Sequence, residues 1–205
     1  MQEIEAKFYV MDLNGVRMRL QSLEARLIQE RVLETNIRFD LPGGGLRSEG
    51  RVIRLRRDTE AKFTYKGPST VEQGILNHIE IEFTVGDFDK AKAFIEAIGY
   101  QPFFYYEKYR TTYDVQTSEV STHVMLDELP YGNFVEIEGE SPESIRAVAN
   151  KLNLNWDTAI PTSYHLLFER LCTKYPSIDP TNLSFTALET KTITAADLSV
   201  QAADG

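Results

Sequence analysis

The sequence predicts an α+β fold: a β-barrel with a charged lumen, covered on the outside by helices. Three observations predict it. Pairs of charged residues at alternate positions recur in six predicted strands, apolar residues fill the opposite face of each strand, and helical segments separate the strands. If the apolar faces all pack outward against helices, the charged faces must converge. A barrel with a polar interior is the simplest closed arrangement of this kind.

The N-terminal strand shows the pattern first. Glu3, Glu5 and Lys7 alternate with the apolar residues from Ile4 to Phe8, so one strand face is ionic and the other is apolar. One such strand is ordinary at a protein surface. Its repetition is what indicates a shared lumen. The other pairs are Arg54/Arg56, Lys62/Lys66, Glu80/Glu82, Lys108/Arg110 and Glu136/Glu138.

The remaining elements follow from periodicity and from turn residues. Apolar residues at helical spacing predict a first helix at 12–25, with Asp12 as its cap. The strand that follows ends in a loop, Leu41-Pro42-Gly43-Gly44-Gly45, and such a loop can lie at a mouth of the barrel. Further strands are predicted at 28–40, 52–57, 61–66, 77–85, 101–115, 122–128 and 133–139, and further helices at 87–98, 142–152 and 161–173.

The C-terminal part of the chain has a different character. Residues 174–205 are polar and weakly patterned, so we expect a domain at 1–173 followed by a flexible tail. The alternative is that this segment folds over an opening of the barrel.

Composition limits the partners and the compartment. A net charge of -9 argues against a general binder of nucleic acid or anionic membrane, so an anionic ligand must meet a local cationic patch. The single cysteine, Cys172, excludes an internal disulfide and a zinc-ligand cluster. Since no secretory signal and no membrane-spanning apolar run is found, we expect a cytoplasmic protein.

The charged pairs form two chemical groups. The carboxylates are hard oxygen ligands that suit Mg²⁺ or Mn²⁺, and the basic residues match phosphate oxygens. Together they describe a site for a metal-bound polyphosphate. The carboxylates are Glu3, Glu5, Glu80, Glu82, Asp127, Glu136 and Glu138, and the basic residues are Lys7, Arg54, Arg56, Lys62, Lys66, Lys108 and Arg110.

This ordered series of motifs resembles the CYTH family, also called triphosphate tunnel metalloenzymes. The family includes class IV adenylyl cyclases, thiamine triphosphatases and inorganic triphosphatases. The resemblance covers roughly residues 1–173, and Ser163-Tyr164 before Leu166-Leu167 resembles the family's C-terminal helix signature. The matching motifs are Glu3-x-Glu5-x-Lys7, Arg54-x-Arg56, Lys62-x-Thr64-x-Lys66-Gly67-Pro68, Glu80-x-Glu82, Glu107-Lys108-x-Arg110, Asp127 and Glu136-x-Glu138.

The resemblance implies an eight-stranded antiparallel tunnel and assigns roles within it. It makes Lys7, Glu5 and Glu138 the catalytic candidates, while Glu80 and Glu82 either bind metal or orient basic residues. The implied metal ligands are Glu3, Glu5, Asp127, Glu136 and Glu138. The implied triphosphate-binding residues are Lys7, Arg54, Arg56, Lys62, Lys66, Lys108 and Arg110.

One position departs from the family pattern. The second-strand motif is Asn36-Ile37-Arg38-Phe39-Asp40, with Arg38 where a tyrosine aligns in many members. Some hydrolases of the family pair that tyrosine with lysine to activate water. That mechanism is therefore not expected here, and Arg38 is expected to add to the phosphate grip.

Three functions remain open from the sequence. The first is a triphosphatase, dependent on Mg²⁺ or Mn²⁺, acting on tripolyphosphate, thiamine triphosphate or a nucleoside triphosphate such as ATP. The second is a class IV adenylyl cyclase that converts ATP to cyclic AMP and pyrophosphate. The third is a non-catalytic polyphosphate or nucleotide-binding module. Neither nucleic acid nor membrane is an expected partner, and a homodimer is left open.

Overall fold

The computed structural model describes residues 2–117 and 120–205. Within these residues there are ten strands: β1 (Gln2–Val10), β2 (Arg26–Asp40), β3 (Val52–Arg57), β4 (Ala61–Lys66), β5 (Thr70–Glu72), β6 (Ile75–Val85), β7 (Gln101–Thr117), β8 (Val120–Leu129), β9 (Gly132–Gly139) and β10 (Asn182–Leu183). The α-helices are α1 (Leu13–Ser22), α2 (Gly45–Ser48), α3 (Phe88–Ala97), α4 (Pro142–Lys151), α5 (Tyr164–Lys174) and α6 (Phe185–Leu188). Two 3-10 turns lie at Trp156–Thr158 and Ala195–Leu198.

Eight of the strands close into an antiparallel barrel in the order β1-β9-β8-β7-β2-β3-β4-β6, and β6 pairs back onto β1. At the closing strand, Glu5 lies opposite Glu138 of β9 on one side and Leu76 of β6 on the other. The predicted fold class is confirmed. The short strand β5 adds to β6 outside the barrel, and β10 runs parallel to β7.

The outer face of the barrel forms the hydrophobic core together with the helices. On β1, Ala6, Phe8 and Val10 are buried in a cluster that includes residues of α1 and α4, such as Val16 and Val148. A second cluster joins the barrel to α5, and a smaller one joins it to the segment around α3. Because strand side chains alternate, this outward packing of the apolar residues directs the charged residues of β1 into the lumen.

Most predicted elements agree with the structure within a few residues. The hairpin of β3 and β4 is joined by Asp58-Thr59-Glu60, where the Asp58 carboxylate accepts a hydrogen bond from the backbone N–H of Glu60 at 3.0 Å. The glycine loop after β2 contains α2, and Gly43, Gly44 and Arg47 line the cavity described below. The short elements α2, β5, β10 and α6 were not predicted from the sequence, because segments this short carry no clear period.

The C-terminal segment packs against the barrel, in contrast to the expected flexible tail. Leu183, Leu188 and Leu198 are buried in the same cluster as α5. The backbone N–H of Ala203 donates to the Tyr9 carbonyl at 2.9 Å, and Asp204 accepts from the backbone N–H of Met11 and of Asp12. Sparse leucines at irregular spacing carry this packing, so a periodicity argument could not detect it.

Across residues 2–117 and 120–205, no helix is both long enough and apolar enough to cross a membrane.

Candidate active site

The barrel lumen forms a cavity of about 1450 Å³. The structure brings the predicted site residues together around it, with one exception: Asp127 is fully buried beneath Lys108, Arg110 and Tyr164, which line the cavity. The predicted residues that line the cavity are Glu3, Glu5, Lys7, Arg38, Arg54, Arg56, Lys62, Lys66, Glu80, Glu82, Lys108, Arg110, Glu136 and Glu138.

Asp127 is an anchor for basic side chains. Its carboxylate accepts from Lys108 Nζ at 3.0 Å and from two nitrogens of Arg110, each at 2.6 Å. The hydroxyl of Tyr164 donates to the same carboxylate at 2.8 Å. Four donors satisfy both of its oxygens, so this geometry favours a positioning role for Asp127 over the metal ligation that the family resemblance implies.

Glu136 and Lys7 form a second buried ion pair next to that anchor. Lys7 Nζ lies 3.1 Å from Glu136 Oε1 and donates to the Thr162 carbonyl at 3.2 Å. Arg110 also donates to Glu136. Burial by itself lowers the pKa of Lys7, but the carboxylates of Glu136 and Glu5 outweigh burial and raise it. The Lys7 ammonium therefore stays charged inside the barrel.

Glu34 is a residue of the site that was not predicted from the sequence. It is 1% exposed, and its carboxylate lies 3.5 Å from Lys108, 3.6 Å from Arg56 and 3.9 Å from Arg110. Burial opposes its ionisation, but these cations, Lys108 first, lower the pKa of Glu34 to about 2. Its spacing of four residues from Arg38 on β2 places it on the lumen face, and that spacing could have identified it.

Glu138, Glu3 and Glu5 form an acidic cluster at the wall made by β1 and β9. Burial raises the pKa of Glu138 to about 7, and the charges of Glu3 and Glu5 contribute to the rise. At Glu34, by contrast, neighbouring cations lower the pKa. The cluster therefore holds more negative charge than its basic neighbours neutralise.

Glu3 is also part of a neighbouring network with Glu80, Lys66 and His78. Lys66 Nζ lies 3.1 Å from Glu3 and 2.7 Å from Glu80, and His78 Nε2 lies 2.9 Å from Glu3. The carboxylates of Glu3 and Glu80 outweigh burial and raise the pKa of His78 to about 9. One ligand atom each from Glu3, His78 and Glu80 lies within 4.8 Å of the other two.

Glu82 orients the basic residues of the β3–β4 hairpin. Its carboxylate lies 3.1 Å from Arg56, 3.5 Å from Arg54 and 3.6 Å from Lys62. The Thr64 hydroxyl donates to it at 2.8 Å. This geometry favours a role for Glu82 in orienting basic residues over a role in binding metal.

Arg38, Arg47 and Arg54 form what we call the arginine end of the cavity. Arg54 donates to the Tyr106 hydroxyl at 3.3 Å, whereas the Arg38 guanidinium faces the Phe103 ring at 5.4 Å. Burial lowers the pKa of Arg38, and repulsion from Arg54 and Arg47 adds to that effect. The arginine end therefore carries positive charge that is only partly neutralised.

Helix α5 closes one side of the cavity with its first turn. The Ser163 hydroxyl caps this helix by accepting from the backbone N–H of Leu166 at 3.3 Å. The cap presents the Tyr164 ring to the Lys7 ammonium, 4.4 Å from the ring centroid. His165 packs against Phe104 with ring centroids 4.4 Å apart, and burial lowers its pKa to about 3, so its imidazole is neutral.

A model of the CYTH domain matches residues 1–162, and the chain belongs to this family. A putative adenylate cyclase from Vibrio parahaemolyticus superposes with a TM-score of 0.69 at 22% identity, over 79% of this chain and 94% of that chain. A protein from Pyrococcus horikoshii OT3 does so with a TM-score of 0.66 at 23% identity, over 82% of this chain and 99% of that chain.

A putative adenylyl cyclase from Hippeastrum, described as revealing a dominant triphosphatase activity, also shares the architecture. It has a TM-score of 0.61 at 13% identity and covers 97% of this chain and 100% of that chain. No curated protein matches this sequence significantly. At these identities the solved structures demonstrate a shared fold.

Proposed function

We propose that this protein is a divalent-metal-dependent triphosphatase. The observation that carries the proposal is the acidic cluster of Glu3, Glu5 and Glu138, which shares one cavity with the cations of Lys7 and Arg110. Excess negative charge beside phosphate-binding cations suits a phosphate chain that carries a metal ion.

The donor chemistry of the acidic cluster fits Mg²⁺ or Mn²⁺. Its members offer carboxylate oxygens, and the raised pKa of Glu138 reflects repulsion that a bound cation would relieve. We assign Glu3, Glu5 and Glu138 as the residues that would hold the ion, with Glu136 beside them. When bound, such an ion neutralises phosphate charge and supports attack by water.

The basic residues of the lumen hold the phosphate oxygens. Lys108 and Arg110 are fixed by Asp127 and Glu34, so their donors are positioned before a ligand arrives. Lys7 is held in the same way by Glu136. Preorganised donors of this kind stabilise charge that develops on a transferring phosphoryl group.

Hydrolysis also needs a proton acceptor. The water oxygen bonds to a terminal phosphorus, the bridging P–O bond breaks, and the departing phosphate chain takes the bond's electron pair. The proton lost by the water passes to a carboxylate oxygen of the acidic cluster, for which Glu5 and Glu138 are the candidates.

A class IV adenylyl cyclase is the second candidate. The cavity of about 1450 Å³ leaves space for a nucleoside beside the phosphates, and the structural neighbour from Vibrio parahaemolyticus is described as a putative adenylate cyclase. The same basic residues would then hold the phosphates of ATP, while the ribose 3′ oxygen attacks the α-phosphorus. A non-catalytic binding module has less support, because binding a polyanion does not require an unneutralised acidic cluster.

The deciding experiment is product analysis with purified protein, Mg²⁺ or Mn²⁺, and tripolyphosphate, thiamine triphosphate or ATP in separate reactions. Release of orthophosphate supports the triphosphatase and ranks its substrates. Formation of cyclic AMP and pyrophosphate would select the cyclase instead. Glu138→Gln should abolish either activity, and the matched control Glu143→Gln, on the exposed side of α4, should retain it. Cytoplasmic location stays a prediction, to be checked by cell fractionation.

A further inference from the structure

Arg38 is exceptional among the basic residues of the lumen. Within the part of the chain that the structure describes, its guanidinium forms no ion pair, and its buried Nε, like those of Arg54 and Arg56, has no hydrogen-bond partner. The remaining lumen cations each lie within 4 Å of a carboxylate: Lys7, Arg54, Arg56, Lys62, Lys66, Lys108 and Arg110. A buried polar group without a partner is costly unless a ligand satisfies it.

The surroundings of Arg38 add to this cost. Arg54 and Arg47 repel its charge, whereas Tyr106 and Glu169 favour it, and Phe103 supplies a ring face at 5.4 Å. Packing alone would favour an uncharged residue at this position. An arrangement of like charges at a cavity wall is characteristic of a site that awaits an anion.

Arg38 lies well away from Lys108 and Arg110, the cations that Asp127 positions. Arg38 lies four residues beyond Glu34 on β2, a distance of about 13 Å along the strand. Three linked phosphates are shorter than this distance. The cavity continues over both regions, and its volume of about 1450 Å³ exceeds the ~300–1,000 Å³ of ordinary small-molecule sites.

We propose that the arginine end binds a further phosphate group of the ligand, in addition to the three that the rest of the lumen holds. Arg38 supplies the planar, permanently charged donor set that phosphate accepts, and Arg47 lies on the loop beside it. This inference rests on the proposed function. The further phosphate is either the fourth member of a linear chain or a substituent on the organic group.

The test is binding calorimetry in metal-free buffer, where turnover does not interfere. The probes are tripolyphosphate against tetrapolyphosphate, and ATP against an adenosine triphosphate that carries an extra phosphate on its ribose. Wild-type protein should bind one four-phosphate probe about tenfold more tightly than its three-phosphate partner, which corresponds to one charge-assisted contact. Arg38→Gln should remove most of that difference, Arg38→Lys should keep part of it, and Arg17→Gln on the outer helix α1 should keep all of it.

A second readout separates this role from a structural one. Because burial and repulsion from Arg54 and Arg47 together outweigh the attraction to Tyr106 and Glu169, Arg38→Gln should unfold at the same temperature as the wild type or a higher one without ligand. Equal affinity for three and four phosphates in both probe pairs would overturn the inference, as would an equal loss for both in Arg38→Gln. The predicted binding pattern without any turnover would leave the inference standing and reject the proposed triphosphatase. Turnover together with equal affinities for three and four phosphates would reject the inference and leave the proposed triphosphatase standing.

Discussion

At the scale of single residues, the lumen shows how environment separates chemically identical carboxylates. The pKa of Glu34 falls to about 2 among three cations, whereas the pKa of Glu138 rises to about 7 beside Glu3 and Glu5. Glu34 is therefore a permanent counter-ion. If Glu138 holds the metal ion as proposed, it would exchange a proton for that ion near neutral pH.

Metal affinity should consequently depend on pH. A proton on Glu138 competes with the ion, so affinity for Mn²⁺ should rise as pH increases towards about 7 and then level off. In the absence of metal, the stability of the folded state should change with pH in the opposite direction. The folded state holds this proton more tightly than the unfolded state, so stability should fall as pH rises from about 4.5 to about 7. Calorimetric titration between pH 5.5 and 8.5 measures the affinity, and Glu138→Gln should flatten the profile. An identical slope in wild type and variant would contradict the assignment.

Substitution of Arg56 tests whether the basic residues of the lumen bind the phosphate groups. It is held 3.1 Å from Glu82 and 3.6 Å from Glu34, which fixes it towards the cavity. Arg56→Ala should raise KM for tripolyphosphate by about tenfold or more, since a charge-assisted contact is lost. Steady-state kinetics measures this change, with Arg17→Ala on α1 as the control. An unchanged KM in Arg56→Ala would place this residue outside the phosphate-binding set.

At the scale of secondary-structure elements, α5 and the C-terminal segment act together. The first turn of α5 brings Tyr164 to Asp127, and the 3-10 turn at Ala195–Leu198 packs against the same helix. Lys174 Nζ of α5 lies 2.6 Å from Asp197 in that turn. The segment thus holds the helix that closes one side of the site.

Leu198→Ala tests this packing. Leu198 is fully buried, so the substitution should cost about 2–5 kcal/mol of the free energy of unfolding. Urea denaturation measures the cost, and Leu27→Ala at a half-exposed position on β2 is the control, with an expected cost below about 1 kcal/mol. If Leu198→Ala lowers the free energy of unfolding by no more than Leu27→Ala does, the C-terminal segment does not pack stably against the barrel.

At the scale of the whole molecule, the closed barrel balances opposite charges within one cavity. A cation bound alone would relieve the repulsion within the acidic cluster but would leave the basic side chains paired with their carboxylates. A polyanion bound alone would have to compete with Asp127, Glu136 and Glu82 for those basic side chains. Binding both together keeps the lumen close to neutral. The two ligands should therefore bind cooperatively.

Thermal unfolding can detect this cooperativity. Mn²⁺ and tripolyphosphate together should raise the unfolding temperature by more than the sum of their separate effects. A ligand at a hundred times its Kd adds about 2.7 kcal/mol, so the shift is measurable. Glu5→Gln, which is expected to lack turnover, serves to measure polyanion binding without hydrolysis. Strictly additive shifts in the wild type would argue against a shared site.

The sequence by itself determined the barrel, its charged lumen and most of the site. Alternation is a local property of each strand, and six strands with the same alternation fit few closed arrangements. The residues of β1, β3 and β4 were therefore placed correctly from their spacing. The family resemblance, confirmed by the CYTH match over residues 1–162, supplied the number of strands.

Only the tertiary structure decided which charges neutralise one another. Asp127 and Glu138 have the same chemistry in the sequence, but one accepts four donors while the other faces two further carboxylates. Burial of the C-terminal leucines and the isolation of Arg38 were likewise decided at this level. The physical reason is that pKa, ion pairing and burial depend on distances between strands far apart in the chain, which barrel closure and register set and local periodicity does not encode.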